Sequence, residues 1–142
     1  TWHSTLVASA GPVTIDSPAT QGRTGAGYGG IFWRFPSDGE ALITCTDGTG
    51  EDAANGSTSP WLLLSRDGDR PWTTLLVQHG QVRPWFVRST DYLGAGPSLA
   101  WSQSLQLAAG EELELELEAV LLDGVLSVEE VAPLLESVAP AA

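Results

Sequence analysis

Six arginines carry all the strongly basic charge of this 142-residue chain, and two of them, Arg23 and Arg34, bracket a glycine-dense segment that also bears Tyr28. A guanidinium presents planar, forked donors that match a carboxylate or a pair of hydroxyls, and a phenol adds one donor and one acceptor. These three residues are therefore the first candidates for ligand binding. The same pattern also fits Arg34 alternating to a solvent face and Arg23 pairing with an acidic neighbour. A second candidate pair is Trp85 and Arg88, in a short aromatic segment before Ser89-Thr90-Asp91-Tyr92. An indole face suits the C–H groups of a sugar while its N–H supplies one hydrogen bond. Core packing accounts for most of the six tryptophans, which leaves one or two for a binding surface.

For proton transfer the candidates are Asp91 as a general base, with Tyr92 beside it, and His79, just before Gly80, as an acid. No fixed spacing links them, and polar residues at loop ends commonly form turns. There is no serine nucleophile elbow and no metal-binding histidine motif. The single Cys45 excludes an internal disulfide and a cysteine zinc cluster, and in its alternating segment it reads as a small core residue. Only His3 and His79 are available as imidazoles and they are far apart in sequence, so no metal and no cofactor are expected.

The elements that must position these groups follow from turn residues and periodicity. Five glycines between Gly22 and Gly30 free the backbone for positive φ and close approach. Gly25, Gly27 and Gly30 satisfy the dinucleotide pattern G-x-G-x-x-G, but the context is wrong, since that fingerprint needs a helix to follow and Ile31-Phe32-Trp33-Arg34-Phe35 is a short aromatic strand closed by Pro36. A sheet corner or a ligand-facing loop remains. Further strands are expected at Trp2 to Ala8, Val13 to Ile15, Ala41 to Cys45, Trp61 to Ser65, Thr73 to Gln78, Trp85 to Arg88 and Ala100 to Leu107. Turns are expected at Gly11-Pro12, Ser37-Asp38-Gly39 and Arg66 to Pro71, where Asp67-Gly68 is a hairpin signal. Thr46 to Ser59 has no periodicity and reads as a surface loop, with Asn55-Gly56-Ser57 a turn rather than a glycosylation site.

Strict alternation from Glu112 to Ala119 sets Leu113, Leu115 and Leu117 on one face and glutamates on the other. Burying each leucine stabilises by roughly 1.5–3 kcal/mol, so the leucines decide the register and the glutamates serve solubility. Ser127-Val128-Glu129-Glu130 is a capping box for a single terminal helix, with Pro133 inside it. Short strands separated by Gly, Pro and Asp turns argue for an all-β fold, an antiparallel β-sandwich with one short C-terminal helix, in one domain spanning residues 1–142.

Eighteen acidic residues against six arginines give a formal charge of −12, which repels phosphate backbones and makes nucleic acid an unsuitable partner. No run of about eighteen apolar residues and no basic-then-apolar leader is present, so no membrane partner is expected and a soluble, cytoplasmic setting is favoured. Methionine is absent and a strand begins at once, so the chain reads as part of a longer polypeptide or a processed product.

The segment Asp16-Ser17-Pro18-Ala19-Thr20-Gln21-Gly22-Arg23, running into Gly25 to Arg34, resembles a bacterial family labelled PmoA-like or methane-oxygenase-like. Gly56-Ser57-Thr58-Ser59-Pro60-Trp61-Leu62, Pro84 to Arg88 and the Ala109-Gly110-Glu111 turn are similar too. The resemblance covers nearly the whole chain but only the C-terminal half of the family's length. It implies half of a large sandwich of the kind seen in sugar mutarotases, with a possible carbohydrate ligand. The family's histidine-rich N-terminal segment has no counterpart here, and nothing in these residues supports oxygenase chemistry. Two readings follow: a carbohydrate-facing half of a sugar-binding or sugar-processing sandwich, or a non-catalytic half completed by an upstream segment or partner chain.

Overall fold

The computed structural model describes residues 1–36 and 40–138. Alternation and turns produce eleven strands and two helices among them. In order these are β1 (Trp2–Val7), β2 (Val13–Ile15), β3 (Trp33–Phe35), β4 (Ala41–Cys45), β5 (Gly48–Thr49), α1 (Glu51–Ala54), β6 (Trp61–Arg66), β7 (Trp72–His79), β8 (Trp85–Arg88), β9 (Leu93–Pro97), β10 (Leu105–Leu107), β11 (Glu112–Asp123) and α2 (Val128–Val138). All pairings are antiparallel. A six-stranded sheet runs β1-β11-β7-β6-β4-β5, a three-stranded sheet runs β3-β9-β8, and β10 pairs with β2.

The main core lies between the two larger sheets. Ile43, Leu62, Leu64, Leu76, Leu115 and Leu117 come from one, and Phe35, Trp85, Val87, Leu93 and Ala95 from the other. The opposite face of the six-stranded sheet is covered by α2, whose Val131, Leu134, Leu135 and Val138 pack on Leu63, Leu75 and Val77. This second contact explains a change within β11. Its outer face carries glutamates through Glu118 and then turns apolar at Val120 and Leu122, where α2 lies over it. The capping box forms as expected: Glu130 N–H donates to Ser127 Oγ over 3.3 Å, and Ser127 N–H donates to Glu130 Oε2 over 2.8 Å. Helix α2 runs through Pro133.

Three expectations change. Thr46 to Ser59 is not a free loop. It holds the β4–β5 hairpin and α1, and it docks along β8 through Gly56 N–H to Trp85 O (2.8 Å) and Trp85 N–H to Ser57 O (2.9 Å). The strand expected from Ala100 begins only at Leu105, and β9 was not expected at all. The turn expected at Ser37-Asp38-Gly39 lies outside the described residues. Cys45 is buried, as its alternation implied. No described helix is long and apolar enough to cross a membrane.

Candidate functional site

Alternation along the three-stranded sheet divides its residues between two faces. Trp85 and Val87 of β8 point into the core, so Phe86 and Arg88 occupy the outer face. The register places Arg88 opposite Gly94 of β9, and Gly94 opposite Arg34 of β3, so two guanidinium-bearing residues flank one glycine. Gly94 leaves room that a side chain would take, because the Phe32 ring occupies the place of its missing Cβ. An aromatic row results. Tyr28 lies 5.4 Å from Phe86, Phe86 lies 5.6 Å from Phe32, and Phe32 lies 6.2 Å from Tyr92, between ring centroids. Arg34 caps the Tyr92 end at 4.7 Å, and Arg88 lies over the interior ring of Phe86 at 4.4 Å. Tyr28 and Phe32 are 45% and 38% exposed, whereas Phe86 beneath them is buried.

The two arginines differ in what their donors do. Arg88 Nη2 donates to Gly25 O over 2.9 Å, its Nη1 donates to Val87 O over 2.8 Å, and Glu51 Oε1 lies 3.6 Å away. Its N–H groups therefore hold the glycine segment to β8. Asn55 joins the same clamp, donating from Nδ2 to Gly25 O (3.1 Å) and accepting from Val87 N–H at Oδ1 (3.0 Å). The Arg34 side chain makes no hydrogen bond or ion pair with any described residue and keeps its fork available beside the Tyr92 ring.

Tyr92 and Asp91 line a polar cleft of about 460 Å³ together with Glu40, Ser89 and Thr90. Carboxylates, hydroxyls and a phenol there offer both acceptors and donors. His79 is elsewhere. It ends β7 in the other sheet, where its Nε2 is 2.9 Å from Glu118 Oε2. Asp91 and His79 therefore do not form an acid–base pair. Register does bring the two histidines near each other, since His3 and His79 both lie opposite Glu116 and share a cleft of about 330 Å³. Among the described residues no group of three or more His, Cys, Asp or Glu side chains is placed to hold a metal ion.

Trp85 requires a correction. Its side chain is 0% exposed and its Nε1–H donates to Ser59 O over 2.7 Å, so it is a satisfied core residue and shows no face to a ligand. Arg23 is exposed on the loop and joins neither the aromatic row nor the clamp. The glycines themselves have packing duties: a Cβ on Gly27 would collide with the Trp101 ring, and one on Gly56 would lie 2.7 Å from it. Sequence reasoning missed Asn55, Phe32 and Gly94, whose roles depend on cross-sheet register rather than on any local motif.

No curated protein and no solved structure matches the chain. A family of unknown function, DUF6807, is described by a model that matches residues 1–136, and the chain belongs to that family.

Proposed function

We propose that this chain forms a carbohydrate-facing wall of a sugar-binding or sugar-processing β-sandwich. Arg34 carries the reading: its guanidinium stands over the Tyr92 ring with no hydrogen-bond or ion-pair partner among the described residues, and Tyr92 in turn lines a cleft rich in hydroxyls and carboxylates. A forked donor, an aromatic face and hydroxyl-matching acceptors are what a polyhydroxylated ligand requires. Tyr28 and Phe32 extend the surface with exposed aromatic area. The resemblance of residues 16–34 to the PmoA-like family, with its mutarotase-like sandwich, also supports it. A glycan array probed with the intact chain and with Arg34→Ala tests this: selective binding that the variant loses is expected, and equal binding by both removes Arg34 from the site.

A second reading has its own observation. The six-stranded sheet outruns the three-stranded one, which leaves β1 and β3 as sheet edges beside an apolar cleft of about 550 Å³ lined by Trp2, Leu6, Ile15, Ile31 and Leu115. Trp2 is 54% exposed there. Unpaired edges beside uncovered apolar area suit added strands. In this reading the chain is a structural half that another segment or chain completes. Hydrogen exchange along Trp2–Val7 in the intact source protein tests it: strong protection supports completion, and rapid exchange rules it out.

A further inference from the structure

The two faces of β3 carry different chemistry. Arg34 belongs to the outer face, while Trp33 and Phe35 point to the other side and meet Trp72 of β7. Their three rings are nearly parallel: Trp33 and Phe35 are 5.7 Å apart at 7°, and Phe35 and Trp72 are 5.5 Å apart at 14°. The Arg66 guanidinium lies 5.6 Å from the Trp72 ring, and it donates to Pro36 O over 3.3 Å. This column lines a cleft of about 370 Å³ whose other wall includes Leu121 and Asp123 at the end of β11.

Two features of the cleft are not explained by packing. Trp72 Nε1–H is buried and has no hydrogen-bond partner among the described residues. An orphaned buried donor is costly, and each one in a native structure calls for an acceptor. Leu121 is 64% exposed, although it lies on a strand whose other apolar residues are largely covered. An apolar wall left open beside an unsatisfied donor is the composition of a ligand cleft.

We infer that this cleft binds a neutral pyranose ring, with Trp33 and Leu121 against its C–H face, Trp72 Nε1–H donating to a ring or hydroxyl oxygen, and Asp123 accepting from a hydroxyl. The volume suits one hexose ring. A neutral ligand is favoured over a sugar acid because, among the described residues that line the cleft, the ionisable one is Asp123, and the chain carries a formal charge of −12. The site extends the carbohydrate reading to a second face of β3 and does not depend on Arg34.

The test is an NMR titration of the intact chain with methyl β-D-glucopyranoside and with cellobiose, following the indole N–H resonances, with the Trp72 signal assigned through Trp72→Phe. Saturable movement of the Trp72 resonance is expected, with binding about tenfold or more weaker in Leu121→Arg. Leu121 is exposed, so its variant obstructs the cleft without entering the core. The inference is overturned if neither sugar moves the Trp72 resonance saturably, or if Leu121→Arg binds as well as the native chain. Binding lost in Arg34→Ala but kept in Leu121→Arg also overturns it, while leaving the Arg34 face as the sugar site.

Discussion

Arg88 Nη2 donates to the carbonyl oxygen of Gly25 across 2.9 Å, joining residues that are distant in sequence and fixing the glycine segment against β8. Asn55 Nδ2 donates to the same oxygen, so one carbonyl is held by two side chains. The freedom that glycine gives the backbone is thereby removed by tertiary contacts, and Tyr28 is presented on a held rather than a loose segment.

Removing that clamp should show in stability. Arg88→Ala deletes a charge-assisted hydrogen bond from a half-buried side chain, with an expected loss of about 1.5–3 kcal/mol. Urea unfolding measures the loss, and amide exchange at Ala26, whose N–H donates to Arg23 O, should rise with it. An unchanged midpoint and unchanged exchange would show that the clamp holds nothing.

Gly96 should not accept a side chain. It lies in β9 without a positive φ, and a Cβ there would collide with the Ile31 carbonyl. The obstruction is backbone, which cannot swing aside as a side chain does. Gly96→Ala is expected to cost more than about 3 kcal/mol or to prevent folding, as an overpacked core position does. A variant with native thermal stability would contradict the close approach of residues 31 and 96.

These glycines also show where the sequence was legible. The register of β11 could be read directly, because three leucines outweigh any competing arrangement and alternation admits one solution. The cap of α2 was equally local. Strand β9 was not legible, since its Leu-Gly-Ala-Gly-Pro run lacks the bulk and branching that mark a strand, and its glycines make sense only once Phe32 and Ile31 lie across them. Trp85 was misread for a related reason. A tryptophan before two polar loops looks the same whether its indole meets a ligand or, as here, the carbonyl of Ser59. The candidate site divides along the same line: Arg34 and Tyr28 were visible as residue types, and the partners that distinguish Arg34 from Arg88 were not.

Helix α2 should respond to acid. The Glu129 carboxyl is held below the usual carboxylate range because its own backbone N–H and the Ser127 hydroxyl donate to its ionised form. A depressed folded pKa means that the stabilisation is complete above the ordinary carboxylate value and is lost as pH falls through the folded one. Stability followed by circular dichroism should therefore drop on the acid side, and Glu129→Gln should lose less over that window than the native chain. An identical acid-side slope in the variant would show that the cap does not involve Glu129.

Arg34 offers the cleanest separation of binding from folding. Arg34 is exposed, and its side chain lies over the Tyr92 ring with no hydrogen bond or ion pair among the described residues, so Arg34→Ala should alter stability by about 0.5–1 kcal/mol at most. The decisive measurement is calorimetric titration of the native chain and of Arg34→Ala with the glycan that the native chain selects. A loss of affinity of about tenfold or more with the unfolding midpoint retained is the expected result, and equal affinity in the two proteins would contradict a ligand-gripping role for the outer face of β3.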